Sequence, residues 1–330
     1  MKDFNDKEIQ YVLIDCDPWA DDFFALLWLL INHKFSNIPM EIVWITTVWW
    51  NVAAEMTYKN AFRVCEMLGI KDIPIWKDNR QITWEDASYI HWADWIGNLS
   101  KMLPQVSIPK NNNYDSVDLI TDSIKKYWDK LIIVTLWPLT NLAIAESKNP
   151  WILQKTERII SMWWAINIHG NVTPSAEFNI FYDYESASKV FSSTKNIVLL
   201  PLDLTTSMPF TMEDMENSLK EINNSDKQKF MIELTKFIIN TNMHFRETWY
   251  QKGFFIHDAH TIGFLLYPHL YKGSFMQVNI ETKWDYTRWQ TVVDNRNTSS
   301  INTNCFVALE FSKPHFLEAI TQDFRLFDFK

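Results

Sequence analysis

Short apolar segments alternate with amphipathic segments along most of the chain. Apolar runs typical of buried strands are followed by stretches with the apolar spacing of a helix. The pattern predicts strands at residues 11–15, 41–46, 72–75, 131–135, 158–162, 197–200, 275–281, 291–294 and 305–310. It predicts helices at residues 21–32, 52–68, 139–147, 185–191 and 226–245, a further helix after His257 and a final one from about Pro314.

This alternation predicts an α/β fold, with an open, mostly parallel sheet covered by helices on both faces. No linker rich in Pro, Gly or Ser divides the sequence, so we expect a single domain over residues 1–330. In such sheets ligands bind at the carboxyl ends of the strands. The active site is therefore expected at that edge.

Composition and charge exclude several classes of protein. The chain is 47% hydrophobic with a net charge of −9, which supports a buried core and gives no basis for nucleic-acid binding. The longest apolar run, residues 23–31, is too short to span a bilayer, and the N-terminus has no signal-peptide pattern. The three cysteines, Cys16, Cys65 and Cys305, are few and far apart, which favours a reducing cytoplasm over a disulfide scaffold.

A dense group of carboxylates follows the first predicted strand. Residues 15–22 read Asp-Cys-Asp-Pro-Trp-Ala-Asp-Asp and contain Asp15, Asp17, Asp21 and Asp22. Carboxylates packed this closely repel one another, and a hard divalent cation such as Ca²⁺ relieves the repulsion. The alternative is an acidic first turn of a helix, with solvated side chains.

The same segment resembles the fingerprint of the inosine–uridine-preferring nucleoside hydrolases. Four further segments resemble motifs of that family in the same order: residues 45–51 (Ile-Thr-Thr-Val-Trp-Trp-Asn), 136–141 (Leu-Trp-Pro-Leu-Thr-Asn), 162–179 with Ala-Glu-Phe-Asn at its end, and the pair His257-Asp258. The resemblance extends from about residue 10 to 310. It implies a metal-dependent enzyme that hydrolyses the N-glycosidic bond of ribonucleosides in nucleoside salvage, as a homodimer or homotetramer.

The resemblance also implies a role for each matched residue. The implied metal is Ca²⁺, and its ligands would be Asp17, Asp22, Asp258 and the backbone carbonyl of Leu136. Asp17 would also be the general base, Asn51 would orient the water, and Asp15 would support the loop. His257 is the candidate acid for the departing base, with His91 as a second candidate.

The substrate-binding residues are implied in the same way. Asp21 would bind the 2′ and 3′ hydroxyls of the ribose, and Asn171, Glu177 and Asn179 would bind the ribose, particularly its 5′ side. Phe178 and Met162 are either ligand contacts or core residues.

Tryptophan stands where the family has glycine at about eleven positions. These are Trp19, Trp44, Trp49, Trp50, Trp92, Trp95, Trp137, Trp163, Trp164, Trp284 and Trp289. The chain has 17 Trp and 6 Gly. Glycine makes up about 7% of an average chain, roughly 23 residues at this length, and the two counts together reach that number. Some bacterial codes read UGA as glycine and others as tryptophan, so we hypothesise that these codons are UGA and encode glycine.

Two other functions compete with nucleoside hydrolysis. A phosphatase of the haloacid-dehalogenase type also begins with a strand and Asp-x-Asp, but Pro18-Trp19-Ala20 follows the pair here and no convincing later motifs are present. A catalytically impaired or non-catalytic nucleoside-binding relative is expected if the tryptophans are real. In that case, bulky side chains crowd the acidic loop and the sugar pocket.

Overall fold

Nine strands form one sheet in the computed structural model, which describes residues 8–47, 54–77, 94, 96–108, 115–162, 165–244, 248, 251–294, 296 and 302–328. The strands are β1 (Gln10–Cys16), β2 (Met40–Thr47), β3 (Ile75–Lys77), β4 (Leu131–Thr135), β5 (Arg158–Met162), β6 (Ile197–Leu200), β7 (Tyr271–Ile280), β8 (Thr291–Asp294) and β9 (Cys305–Phe311). Their order is β3-β2-β1-β4-β5-β6-β9-β7-β8. The first seven strands in this order are parallel, and β7 pairs antiparallel with β9 and β8.

Helices connect the strands and cover the sheet. They are α1 (Ala20–Phe35), α2 (Ala54–Met67), α3 (Ser116–Tyr127), α4 (Thr140–Lys148), α5 (Phe178–Tyr182), α6 (Tyr184–Ser193), α7 (Leu202–Thr205), α8 (Met212–Leu219), α9 (Ser225–His244), α10 (Ala259–Leu266) and α11 (Lys313–Arg325). Among the described residues, no helix is both long and apolar enough to cross a bilayer.

Two apolar cores lie on opposite faces of the sheet. Successive residues of β1 alternate between them, because Val12 and Ile14 join the core under α1, α10 and α11, and Leu13 joins the core under α3, α4 and α6. The inner strands are buried on both faces and therefore read as continuous apolar runs. The predicted α/β class and sheet are confirmed.

Several element bounds differ from the prediction. The third strand was expected at residues 72–75 but is Ile75–Lys77, because pairing with Ile45–Thr47 of β2 fixes its place. The seventh strand begins at Tyr271, four residues before the expected start, because it pairs with β9 as far as Phe311. Helix α3 was not predicted, although Val117, Ile120 and Ile124 form its buried stripe.

Among the residues that the structure describes, three tryptophans have a backbone conformation that favours glycine. The φ angle is 49° at Trp128, 68° at Trp151 and 65° at Trp289. Positive φ is a genuine outlier for a bulky residue and is freely available only to glycine. Of the three, Trp289 is a position where the family resemblance expects glycine; Trp128 and Trp151 are additional. This geometry agrees with the UGA hypothesis.

The three cysteines are buried free thiols: Cys16, Cys65 and Cys305. Burial raises the pKa of each thiol. They therefore pack as small apolar side chains.

Candidate active site

The acidic loop (residues 15–22) runs from the last residues of β1, at the centre of the sheet, into the first turn of α1. Asp15, at the end of β1, is fully buried and accepts hydrogen bonds from Thr46 Oγ1 at 2.6 Å and Asn141 Nδ2 at 2.9 and 3.1 Å. These donors belong to the neighbouring strand β2 and to α4. Asp15 thus ties the ends of adjacent elements together.

The other carboxylates of the loop meet at the N-terminus of α1. The backbone N–H of Asp17 donates to Asp22 Oδ1 at 3.1 Å. Asp258, which caps α10, donates its backbone N–H to Asp21 Oδ2 at 3.2 Å. Asp21, Asp22 and Asp258 are all buried. The structure therefore brings four of the predicted site residues together from two distant parts of the chain.

These carboxyl groups interact unfavourably when all are charged. Burial raises the pKa of Asp17 and Asp258 well above the ordinary value, and the charge of Asp22 raises it further. Burial also raises the pKa of Asp22, whose side chain contacts both Asp17 and Asp258. The Oδ2 atom of Asp22 is buried and receives no hydrogen bond from a donor group of the described residues. A buried oxygen in this situation needs either a proton or a cation.

Carboxylate oxygens are suitable ligands for a hard cation. The carboxylate side chains alone, however, do not surround a single point at which a metal ion could bind. No group of three or more His, Cys, Asp or Glu side chains in the described ranges is arranged to hold a metal ion. The side chain of Asp22 contacts Asp17 in one pair of residues and Asp258 in another. A cation that takes six to eight oxygen ligands would need carbonyl and water oxygens besides these carboxylates.

Leu136 lies beside the acidic loop, directly after β4. Its backbone N–H donates to the carbonyl of Asp15 at 3.0 Å, and its side chain is buried in the core. The backbone of Leu136 thus continues the parallel pairing of β4 with β1 to the edge where the carboxylates meet.

His257 is held by a hydrogen bond outside the acidic loop. Its Nδ1 atom lies 2.7 Å from Oγ1 of Thr205, the last residue of α7. Burial lowers the pKa of His257 to about 4, so the ring is neutral at neutral pH. The Phe255 ring, centred 5.7 Å away, lies next to the imidazole.

The predicted sugar-binding residues lie in one segment after β5. Asn171 Oδ1 accepts the backbone N–H of Phe178 at 2.8 Å. Glu177 is the N-cap of α5, and its Oε2 accepts the N–H groups of Asn179 at 3.0 Å and Ile180 at 3.4 Å. The side chains of Asn171 and Glu177 therefore hold the turn on which Asn179 is presented.

The remaining predicted residues divide into two groups. Met162 is buried with Ala165 and Leu202, and Phe178 is partly buried with its ring 4.5 Å from that of Tyr182. Asn51 and His91 lie outside the described residues, as do Trp163 and Trp164.

Two residues near the site were not singled out by sequence analysis. Asn60, buried on α2, donates its Nδ2 to the carbonyls of Pro18 at 3.0 Å and Asp94 at 3.1 Å. It therefore joins the acidic loop to the segment that follows His91 in the sequence. Thr205 contacts His257, as described above. A lone Asn or Thr gives no sequence signal, because the partners of both are far away in the chain.

Comparisons with known proteins establish the family of the chain. A family model described as inosine-uridine preferring nucleoside hydrolase matches residues 12–318. The chain belongs to this family. The pyrimidine-specific ribonucleoside hydrolase RihA of Shewanella woodyi is 30% identical over 314 residues, which cover 94% of this chain and 96% of the relative.

Solved structures give the same result. A purine-preferring ribonucleoside hydrolase from Gardnerella vaginalis superposes with a TM-score of 0.85 at 26% identity, covering 97% of this chain and 100% of that one. A plant nucleoside hydrolase, at 24% identity, shares the fold with a TM-score of 0.84 over 96% of this chain and 99% of that one. The chain is thus a nucleoside hydrolase by family, a class of enzymes that act on N-glycosyl compounds. The phosphatase alternative is set aside.

Proposed function

We propose that the protein hydrolyses ribonucleosides to ribose and free base with Ca²⁺ as its cofactor, and that it acts in nucleoside salvage. One observation carries the proposal. Asp17, Asp21, Asp22 and Asp258 converge at the carboxyl edge of the sheet, where they are buried or partly buried. Burial and the charge of Asp22 raise the pKa of Asp17 and Asp258. A concentration of negative charge of this kind suits a reaction in which positive charge develops on the ribose.

The metal would be held by Asp17, Asp22, Asp258 and the carbonyl of Leu136. The buried Oδ2 of Asp22, which lacks a donor partner in the described ranges, supports this assignment. Such a cation would supply positive charge. This charge would offset the repulsion among the carboxylates and make a nearby water more acidic.

The chain's own residues supply the rest of the proposed mechanism. Asp17 takes a proton from the attacking water, and Asn51 orients that water. Asp21 binds the 2′ and 3′ hydroxyls of the ribose, which fixes the sugar against the carboxylates. Asn171, Glu177 and Asn179 bind the other side of the sugar, flanked by Phe178 and Met162.

The base departs on the side of His257. As the C1′–N bond breaks, its electron pair moves to the base, and a donor on the protein stabilises it there. His257 is the proposed donor, and His91 is the second candidate. The relatives named above include pyrimidine-specific and purine-preferring enzymes, so uridine and inosine are both suitable test substrates.

The residue type at the tryptophan positions, Trp or Gly, determines in this proposal whether the chain is active. We propose that the eleven family-glycine positions, together with Trp128 and Trp151, are glycines in the functional enzyme. The chain with Trp at these positions is then catalytically impaired. Strain and overpacking at several sites at about 1–3 kcal/mol each would exceed the usual stability margin of a domain. The chain with glycine at all thirteen positions is called the glycine version below.

The cofactor is tested by metal removal. The glycine version is treated with a chelator, dialysed and assayed for ribose release from uridine and inosine before and after Ca²⁺ is restored. We expect activity to be lost and regained. Full activity in the chelator would contradict the metal assignment, and no activity under either condition would contradict the enzyme assignment.

We further propose that the protein is a cytoplasmic homodimer or homotetramer with one domain over residues 1–330. The buried free cysteines support a reducing compartment. Exposed Phe275, Tyr286 and Val292 on and beside the β7–β8 hairpin supply apolar surface for self-association. Light scattering on the purified protein measures the oligomeric state, and a monomer would contradict this part of the proposal.

A further inference from the structure

Helix α7 connects the two parts of the site that handle the sugar and the leaving base. Its Asp203 accepts the backbone N–H groups of Ile166 at 2.8 Å and Asn167 at 2.8 Å, at the start of the predicted sugar-binding segment. Two residues later, Thr205 Oγ1 lies 2.7 Å from His257 Nδ1. One helical turn thus anchors both the sugar-binding segment and the imidazole.

The Thr205 hydroxyl is well placed to fix the imidazole. Thr205 is fully buried, and its backbone N–H already donates to the carbonyl of Pro201 at 3.0 Å. Among the described residues, Oγ1 has His257 Nδ1 as its hydrogen-bond partner, and no hydrogen bond to Nε2 is found. A hydrogen bond at one ring nitrogen sets both the ring orientation and the tautomer.

We propose that Thr205 is a positioning residue that donates its O–H to His257 Nδ1, so that the ring carries its proton on Nε2 and presents that N–H to the leaving base. This inference rests on the proposed function of His257. The Nε2–H group then stabilises the electron pair that the base receives as the C1′–N bond breaks. A neutral imidazole that acts as a hydrogen-bond donor in this way is known from other enzymes.

Substrates with different leaving groups distinguish a positioning role of Thr205 from general structural support. Uridine and inosine release bases that need a hydrogen-bond donor. p-Nitrophenyl β-D-ribofuranoside releases nitrophenolate, a stable anion that needs none, and it depends on the same carboxylates at the sugar. A defect confined to the donor therefore slows the nucleosides and spares the nitrophenyl riboside.

The experiment compares Thr205→Val, Thr205→Ser and the parent in the glycine version. Thr205→Val keeps the shape and removes the hydroxyl, whereas Thr205→Ser keeps the hydroxyl. We expect Thr205→Val to lower kcat on uridine or inosine by about ten- to a hundredfold and to leave kcat on the nitrophenyl riboside within twofold of the parent. Thr205→Ser should restore nucleoside turnover. An equal loss on both substrate types, or unchanged nucleoside turnover, would overturn the proposal.

A second readout does not depend on activity. In protein labelled with ¹⁵N-histidine, the shifts of Nδ1 and Nε2 report which nitrogen carries the proton. We expect the Nε2–H tautomer at His257 in the parent and a mixture of tautomers in Thr205→Val. The Nδ1–H tautomer in the parent would overturn the proposal. Absence of turnover on every substrate would count against the proposed function, and the tautomer would still decide the role of Thr205.

Discussion

The backbone N–H of Asp17 donates to Oδ1 of Asp22 at 3.1 Å, while Oδ2 of Asp22 is buried without a donor partner among the described residues. One oxygen of the carboxylate therefore closes the acidic loop onto α1, and the other is available for the proposed cation. The side chain of Asp22 contributes to both the shape and the charge of the site.

Replacing Asp22 by Asn separates these two contributions. In a chelator, Asp22→Asn should raise the free energy of unfolding by about 1 kcal/mol, because it removes a buried charge that repels Asp17 and Asp258. Saturating Ca²⁺ should stabilise the parent by about 2.7 kcal/mol at a hundred times its Kd and should stabilise Asp22→Asn much less. Thermal unfolding with and without Ca²⁺ measures both effects.

The matched control is Asp129→Asn, which removes an exposed charge far from the site. It should follow the parent under both conditions. If Asp22→Asn showed the full Ca²⁺ shift of the parent, Asp22 would not be a ligand.

The backbone angles at Trp128 and Trp151 predict the effect of restoring glycine. Both side chains are exposed, at 51% and 61%, so little packing is lost with them. Trp128→Gly and Trp151→Gly should each stabilise the chain by about 1 kcal/mol by relieving positive-φ strain. Urea unfolding of each single variant measures the change.

Trp28 is expected to be a genuine tryptophan, in contrast to Trp128 and Trp151. It is fully buried, and its indole N–H donates to Asp323 at 2.7 Å. Trp28→Gly should therefore destabilise the chain by more than about 3 kcal/mol. At the gene level, we expect UGA at codons 128, 151 and 289 and UGG at codon 28. UGG at all four positions would refute the glycine hypothesis.

A buried carboxylate joins α1, which carries Asp21 and Asp22, to α10, which follows Asp258. Asp323 on α11 accepts hydrogen bonds from Trp28 Nε1 at 2.7 Å, Asn32 Nδ2 at 2.9 Å and the Tyr267 hydroxyl at 2.8 and 2.9 Å. Trp28 and Asn32 belong to α1, and Tyr267 ends α10. Asp323→Ala leaves these donors without an acceptor and should cost about 3 kcal/mol of unfolding free energy.

Chemical denaturation checks this prediction, with Glu318→Ala on the exposed face of α11 as the control. The control should change stability by about 0.5 kcal/mol or less. Equal stability of the two variants would mean that the hydrogen bonds at Asp323 contribute nothing.

Asn60 links the acidic loop to the segment around Asp94. We therefore expect its replacement to lower activity through the position of that loop. Asn60→Ala removes the link between the carbonyls of Pro18 and Asp94 and should lower kcat/KM on uridine by about tenfold, equivalent to about 1.4 kcal/mol. The neighbouring Lys59→Ala, at a half-buried position, loses an ion pair with Glu55 and should leave kcat/KM unchanged. If the two variants had the same kcat/KM, Asn60 would have no positioning role.

The local pattern predicted the inner strands and the edge strand β8 well, but it misplaced β3 and the start of β7. Residues 131–135, 158–162 and 197–200 were predicted with the bounds that the structure has, because strands buried on both faces are continuous apolar runs between polar turns. The place of β3 depends on its pairing with β2, which the local sequence does not encode. Helix α3 was missed because Thr, Asp and Ser interrupt its short apolar stripe.

The site was predictable as far as its residues form contiguous motifs. Asp17, Asp21 and Asp22 lie within the acidic loop, and His257-Asp258 form a pair, so the family resemblance could name them as candidates. Thr205 and Asn60 are single polar residues whose partners come from distant segments. Only the folded chain reveals that they support the site.

Replacing the proposed general base tests the function most directly. The glycine version and its Asp17→Asn variant are incubated with uridine and with inosine in phosphate-free buffer containing Ca²⁺, and ribose and free base are quantified by chromatography. The proposed function predicts equimolar ribose and base from the parent and at least a hundredfold lower rate from Asp17→Asn, with the fold retained by circular dichroism. Release of no ribose by the parent, or equal rates from the two proteins, would contradict it.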